Sequence, residues 1–446
     1  MPTEFKYSSM TDKLKIVWLC HFSNQKIREN LPLSKMLVFN FIKRILGRGK
    51  FVYSDFAPWV NNLIKEFENF DNTELHIITP HSGLKPKTCE FKMNGIYYHF
   101  FQPDYPFPFD RISNKLRKKE KEQFYRNRKI VKQFIRKIQP DIVNLIGTEN
   151  PYYSITALDI NNIPVYVSAQ TVYTNPLRKT HSDSCLQCNW DVELKIHKKE
   201  MYFGSSGRMH RDLIMYNNPN AIIFKMFFAI EKPENVKIMT KQFDFVFFAG
   251  IAKKKGIEDL IEALSIVKRV KHDALLNVIG RCSDSYMNLL LDKINYLKLS
   301  ENVVFNSYFP LHSDLHQHIV QSRFAVLPVK LDVIPGSIIE AILLDLPVVT
   351  YKTSGTPYLN SEKESVLISD IGDIQGLAAN MLKLLSDENF AQTLANNAKQ
   401  FVMHTFDNTS SAKRLLADYK AVINNYHNTI PIPKELLFDL NEFPIY

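Results

Sequence analysis

Residues 324–350 read Phe-Ala-Val-Leu-Pro-Val-Lys-Leu-Asp-Val-Ile-Pro-Gly-Ser-Ile-Ile-Glu-Ala-Ile-Leu-Leu-Asp-Leu-Pro-Val-Val-Thr. A buried strand, a loop, a helix and a second strand follow one another, which is the repeating unit of a parallel sheet covered by helices. The strand occupies 324–327, Pro335, Gly336 and Ser337 open the helix, and Pro347 precedes the next strand. Proline suits a helix threshold because its missing amide hydrogen would have had no partner there. Gly336 permits close approach of a ligand to the backbone. The free N–H groups and the positive dipole end of the helix then make a seat for phosphate. Asp332 stands before this turn and Glu340 follows it eight positions later. Amides facing an anion, with carboxylates alongside to accept hydroxyl hydrogens, suit a phosphorylated sugar.

The same alternation runs through the chain. Strands are expected at 14–20, 75–79, 96–101, 141–146, 165–168 and 221–224, and again at 245–248, 275–279, 303–305, 324–327, 348–350 and 366–369. Helical patterns lie between them; in 257–270, Ile257, Leu260, Ile261, Leu264 and Val267 form one stripe. A length of 446 residues is long for a single core. The expected fold is therefore α/β, with two Rossmann-like domains facing across a cleft. Residues 1–230 form the expected first domain, 231–425 the second domain, with helices near 388–403 and 409–425 finishing it, and 426–446 a tail that crosses back. The polar stretch 231–242 is the expected hinge. Ligands of such sheets bind beyond the carboxyl ends of the strands, so one interdomain cleft is the expected site.

Composition excludes several classes. No apolar run approaches the roughly 18–20 residues that span a bilayer, and the polar N-terminus shows no signal peptide. Five cysteines fit a reducing compartment better than a disulfide framework. The expected location is cytoplasmic. Residues 111–137 hold twelve Lys/Arg and two Glu, a surplus equal to the +10 net charge of the whole chain. Within that stretch Ile130, Val131, Phe134, Ile135 and Ile138 recur at helical spacing. Two readings stay open: a cationic helix that touches anionic lipid at the inner face of a membrane or a polyanionic acceptor, or a packed helix with a solvated outer face. No nucleic-acid motif accompanies the charge, so nucleic acid is not an expected partner.

A second informative segment is Phe247-Phe-Ala-Gly-Ile-Ala-Lys-Lys-Lys-Gly-Ile-Glu-Asp-Leu-Ile-Glu-Ala-Leu264. It is a strand, a basic loop containing Lys253, Lys254 and Lys255, then Gly256 and a helix. Together with the Asp332/Glu340 segment, it resembles retaining nucleotide-sugar glycosyltransferases of family 4, which have the GT-B fold. The resemblance covers roughly 243–405. It implies that Lys255, helped by Lys254, holds the leaving diphosphate, and that Glu340 binds the ribose hydroxyls. Asp332 falls where a glutamate contacts the transferred sugar, and Pro335, Gly336 and Ser337 form the helix start that meets the phosphates. Lys255, Asp332 and Glu340 are thus the catalytic candidates. The implied donor is a nucleotide diphosphate sugar, and the implied acceptor a saccharide or lipid-linked saccharide of the kind used in cell-surface polysaccharide synthesis. No cofactor and no metal is implied.

Three positions depart from the family pattern. Gly250 stands where an arginine normally partners the lysine, Asp332 is one methylene shorter than glutamate, and Gln170 stands where many members have a histidine. Gln170, Glu149 and Asn150 are the acceptor-side candidates, the last two in Gly147-Thr-Glu-Asn-Pro-Tyr-Tyr153; a helix cap at Asn150 is the competing reading. Arg208 and Arg211 either meet an anionic acceptor or pair at the surface. Cys185 and Cys188, with His181 and His197 nearby, are either a zinc ligand set or reduced structural thiols. Residues 37–46, followed by Arg48 and Lys50, read as an interfacial helix or a core helix. A non-catalytic saccharide- or nucleotide-binding protein of the same fold, and a nucleotide-sugar epimerase, are the alternatives to transfer.

Overall fold

The computed structural model describes residues 13–34, 53, 55–104, 124–176, 187–230, 232–233, 236–237, 239–306, 308–309 and 311–441. In the first half, β1 (Leu14–Leu19), β2 (Thr73–Pro80), β3 (Thr88–Met93), β4 (Ile96–Phe101), β5 (Ile142–Ile146), β6 (Val165–Ser168), β7 (Tyr202–Ser205) and β8 (Ile222–Lys225) form one sheet. Its order is β3-β4-β2-β1-β5-β6-β7-β8. In the second half, β9 (Phe243–Phe248), β10 (Leu276–Ile279), β11 (Val303–Asn306), β12 (Ser322–Leu327), β13 (Val348–Tyr351) and β14 (Leu367–Ser369) pair in the order β11-β10-β9-β12-β13-β14. All these pairs are parallel except β3–β4.

Helices longer than four residues are numbered here: α1 (Pro58–Phe67), α2 (Tyr125–Ile138), α3 (Gln187–Lys199), α4 (Arg208–Asn217), α5 (Ile257–Val267) and α6 (Asp284–Tyr296). They continue with α7 (His312–Ile319), α8 (Gly336–Leu343), α9 (Ile374–Ser386), α10 (Glu388–Thr405) and α11 (Asn408–Asn428). Strands covered on both faces carry unbroken apolar runs. Ile16 to Leu19 and Phe245 to Phe247 are fully buried. The strand order reverses direction between β1 and β5 in one sheet and between β9 and β12 in the other. These two switch points, where neighbouring loops diverge, are where α/β sheets open a ligand crevice.

One strand escaped sequence reading. Strand β3 alternates exposed and half-buried residues, so it lacks the apolar run of its neighbours. Its readable signal was Asn94-Gly95, both at positive φ (50° and 82°), the two-residue turn that closes a hairpin.

The junction between the halves also differs from expectation. The stretch 231–242 is not a free hinge, because its described part is fastened to the second half. Lys237 exchanges backbone hydrogen bonds with the Gln317 side chain, and Lys241 Nζ donates to the carbonyls of Val320 and Ser322. The chain crosses instead at 226–230 and returns at 406–408. Asn408 holds both crossings together, accepting from Ile230 N at 2.9 Å and donating to Ile230 O at 2.8 Å. Phe227 packs there against Tyr358 and Phe406.

Helix α11, expected to finish the second half, packs on the first sheet. Asn144 Nδ2 donates to Tyr419 Oη at 2.6 Å, Tyr166 Oη to Asp418 Oδ2 at 3.1 Å, and Tyr202 Oη to Asn425 Oδ1 at 2.7 Å. Polar groups on buried strands thereby meet partners from a helix 220 residues or more downstream. The described tail follows it, with Phe438 N bonded to Ile223 O at 2.8 Å.

Of the basic stretch, 111–123 lie outside the described residues. In α2 the apolar stripe is buried, so the packed-helix reading accounts for it. Lys129, Lys132 and Arg136 stay exposed on its outer face, while Arg128 forks onto Asp159 with two 2.6 Å bonds. Residues 37–50 also lie outside. Among the described residues no helix is long and apolar enough to cross a membrane.

Asp418 generates a stability prediction. It is 1 % exposed, and burial pushes its carboxyl up to about 8. The folded chain therefore holds a proton that the unfolded chain releases near pH 4. Stability from this group is complete below pH 4 and is lost as pH rises towards 8. Asp418→Asn keeps an acceptor for Tyr166, so its melting temperature should fall less between pH 6 and pH 9 than that of the parent. Equal pH slopes in thermal melts would contradict a protonated Asp418.

Candidate active site

The switch point of the second sheet brings two loops together. After β9 the chain passes through Gly250 to the short turn Lys253–Lys255 and then Gly256. Gly256 has φ +76°, and a Cβ there would stand 1.9 Å from the Pro328 carbonyl oxygen just beyond β12. Only glycine fits both the conformation and the space. Lys330 N donates to Lys254 O at 3.0 Å and fastens the loops again. In consequence Lys255 Nζ lies 3.0 Å from Asp332 Oδ2, both groups partly exposed. Lys330 Nζ sits 2.7 Å from Asp259 Oδ1, whose other oxygen accepts from Tyr351 Oη at 2.9 Å.

Beyond Asp332, Pro335 takes φ −60° and ψ 135° and turns the chain into α8, whose first residues are Gly336 and Ser337. No side chain caps this helix start, so its dipole end is left for a ligand. Glu340 follows one turn later, and a Cβ added at Gly336 would come 3.9 Å from its Oε1. That is an ordinary van der Waals contact, so neither φ nor space at this position requires glycine. Glu340 Oε2 lies 3.6 Å from Nε2 of His316, which is 3 % exposed on α7.

A cleft of about 460 Å³ joins these groups to the other half of the molecule. Asp332, Gly336 and Glu340 line one wall, and Gln170, Thr171 and Ser206 line the other. A smaller cavity of about 260 Å³ shares Thr171 and Asp332 and carries His210, Lys330 and Lys352. Val333 forms the bridge between walls: added Cβ atoms at Gly207 and Gly355 would stand 2.6 and 2.7 Å from its Cγ1.

Of the residues singled out from sequence, Asp332, Gly336, Glu340 and Gln170 line this cleft, and Lys255 is tied to it through its ion pair with Asp332. Lys254 contributes a carbonyl to loop fastening, and Pro335 and Ser337 shape the helix start. Glu149 and Asn150 do not line this cleft. They sit beyond β5, where Asn189 Nδ2 donates to Glu149 O at 2.9 Å. Asn150 takes the helix-threshold position without forming a side-chain cap, so the capping alternative is not what its side chain does. Arg211 pairs with Asp212 at 2.6 Å and Arg208 lies 3.8 Å from the same carboxylate, as surface pairing requires.

Zinc at the Cys-x-x-Cys segment finds no support from its described members. Cys188 and His197 lie nine residues apart on α3, roughly 13 Å along the axis. His197 is buried against Asn217, with Nδ1 2.9 Å from Nδ2. Cys185 and His181 lie outside the described residues.

Sequence reasoning missed Lys330, His312 and His316. The four-residue spacing of the two histidines put them on one helix face, but nothing local showed what that face met. It also missed the switch point of the first sheet. There His21, just past β1, stacks on Phe56 at 4.2 Å and hydrogen-bonds to Tyr152 beyond β5. Burial pushes His21 down to about 4, with nearby His81 adding to the effect, so its imidazole is neutral and available as a polar contact.

Residues 229–401 match the family described as Glycosyl transferases group 1, over the same stretch that carries Gly256, Lys255, Asp332 and Glu340. This part of the chain is a group 1 glycosyltransferase domain. It is 27 % identical over 172 residues to the capsular polysaccharide biosynthesis glycosyltransferase CapM of Staphylococcus aureus, covering 38 % of this chain and 44 % of that protein. The match thus spans less than half of that relative. Solved structures extend the likeness to the whole fold. Sucrose-phosphate synthase from Thermosynechococcus elongatus superposes with a TM-score of 0.67 at 12 % identity, covering 92 % of this chain and 98 % of that one. Anabaena HepE in complex with UDP and glucose gives 0.60 at 15 % identity, covering 92 % and 100 %. The glycosyltransferase domain and its N-terminal partner together have the GT-B architecture.

In this domain Gly256→Ala should be costly twice over. A non-glycine residue at positive φ costs about 1–2 kcal/mol, and the methyl group must also push Pro328 away. The variant should melt lower and lose donor-nucleotide affinity in the same preparation. A variant with unchanged melting temperature and affinity would contradict the close approach.

Proposed function

We propose that the chain is a retaining glycosyltransferase that moves a sugar from a nucleotide diphosphate donor to a saccharide or lipid-linked saccharide, in the synthesis of a surface polysaccharide. The observation that carries this reading is the shared cleft. Asp332, Gly336 and Glu340 face Gln170 and Thr171 across it, with Lys255 ion-paired to Asp332 at its edge. The group 1 match and the likeness to a capsular polysaccharide transferase support the reaction class. A neighbour of the same fold in complex with UDP and glucose supports a UDP-sugar donor.

The physical logic is charge separation. Breaking a sugar–phosphate bond leaves positive charge on the ring and negative charge on the nucleotide. The start of α8 and Lys255 stand ready for the second, as preorganised dipoles and charges that need no rearrangement during the reaction. Glu340 accepts hydrogen bonds from the ribose and Asp332 from the transferred sugar. Without donor, Lys255 and Asp332 neutralise one another; a diphosphate that draws Lys255 away frees Asp332 for sugar hydroxyls. Gln170 cannot take a proton but can donate and accept hydrogen bonds, so it orients the reacting sugar while the departing phosphate serves as base. Lys330, within the adjoining cavity, offers the second cation that Gly250 does not. The residues beyond β1 and β5, His21 and Tyr152 among them, hold the acceptor. A lipid-linked acceptor would bring Lys129, Lys132 and Arg136 of α2 towards an anionic surface.

Three variants test this with a panel of sugar nucleotides, scored by transfer and by release of free nucleotide. Glu340→Ala should abolish transfer and weaken nucleotide binding. Lys255→Ala, which removes a charge-assisted contact of about 1.5–3 kcal/mol, should lower turnover by about 10–150-fold. A Cβ at Gly250 meets nothing within 4 Å, so the position has open space at the root of a side chain, and Gly250→Arg should raise turnover or donor affinity. Release of no nucleotide from any donor would identify a pure binding protein instead. Full activity in Glu340→Ala would remove the ribose contact from the scheme.

A further inference from the structure

Three side chains with metal-binding atoms meet where α7 faces the start of α8. His312 and His316 are four residues apart on α7, so they project from one face, and Glu340 reaches them from α8. One ring nitrogen of each histidine and a carboxylate oxygen all lie within 4.8 Å of one another, the only such group of three among the described residues. His316 is 3 % exposed, and its Nε2 makes no hydrogen bond with any described residue. That nitrogen faces Glu340 Oε2 across 3.6 Å, too far for a hydrogen bond. A buried imidazole nitrogen aimed at a carboxylate it does not reach leaves a polar gap.

We propose that His312, His316 and Glu340 form a binding site for a borderline divalent cation of the zinc type. Two imidazoles and one carboxylate are the donor set that suits Zn²⁺, Ni²⁺ or Cu²⁺, whereas Mg²⁺ and Ca²⁺ prefer oxygen ligands. Bonds of 2.0–2.1 Å place tetrahedral donor atoms roughly 3.4 Å apart. Glu340 is partly exposed and His312 lies at the surface, so rotation of these two side chains closes the group around fixed His316. His312 and Glu340 both line the 460 Å³ cleft, which gives the ion an entry path and its fourth ligand position access to water.

The site has a functional consequence. Glu340 cannot hold a cation and ribose hydroxyls with the same oxygens, so ion and donor nucleotide exclude one another. Zinc-type ions are then reversible inhibitors that compete with the donor. The exclusion rests on the donor-site function proposed above; metal binding does not.

Full-length, metal-free protein is titrated with Zn²⁺ against a chromophoric chelator, and with Co²⁺ by visible absorption. One equivalent of Zn²⁺ should bind, Co²⁺ should give the intense bands of a tetrahedral site, and Mg²⁺ should not compete. His316→Gln and His312→Ala should each weaken Zn²⁺ by about 10–100-fold or more. His312 is less buried than His316, so its variant keeps the test open even where the buried substitution harms folding. Absence of stoichiometric binding, or binding that survives both substitutions, overturns the site. UDP should displace the bound ion in proportion to its own affinity. Zinc held by the triad yet indifferent to saturating UDP would leave the metal site standing and overturn the placement of the donor ribose on Glu340.

Discussion

Gly256 approaches the Pro328 carbonyl so closely that a methyl group there would stand 1.9 Å from the oxygen. That approach, at a φ only glycine adopts without strain, sets the distance between the loops that leave β9 and β12. Lys330 N on Lys254 O repeats the fastening two residues away. With the loops fixed, Lys255 has little choice but to stand beside Asp332, and α8 starts four residues after Asp332. The cation, the two carboxylates and the helix end thus form one group because two adjacent parallel strands diverge at a switch point. Sheet topology places them there, and glycine lets them come near enough to act together.

The partnership of the two halves depends on another set of contacts. The chain crosses from the first sheet to the second beside the place where it returns, and Asn408 ties the crossings with a pair of hydrogen bonds to Ile230. Helix α11 then spends its length on the first sheet, satisfying Asn144, Tyr166 and Tyr202. A molecule joined at one edge by two adjacent crossings can open and close about that edge while both sheets stay intact. In the proposed scheme, closure of this kind would expel water from between a donor wall and an acceptor wall, as an activated donor requires. Val333, wedged between Gly207 and Gly355, marks where the walls already touch.

Much of this was legible in the chain. Parallel buried strands announce themselves as apolar runs, and Pro335-Gly336-Ser337 marks where a helix starts. What stayed hidden was partnership at a distance. Strand β3 is an edge strand with one wet face, so only its Asn94-Gly95 turn betrayed it. Helix α11 looks like any closing helix of a domain, and its choice of sheet is made by Tyr166 and Asn144, more than 240 residues earlier. The spacing of His312 and His316 was visible, but their meeting with Glu340 depends on how α7 packs on α8. The same limit applies to Lys330, whose place is set by Asp259 across the loop pair.

In the proposed scheme Lys255 and the start of α8 grip the diphosphate. The most direct measure of that grip is the affinity of UDP relative to UMP, by calorimetry, in the parent chain and in Lys255→Ala. The parent should prefer the diphosphate, and the variant should lose most of this preference while UMP affinity changes little. A variant that keeps the full preference for UDP over UMP would show that the second phosphate is held elsewhere.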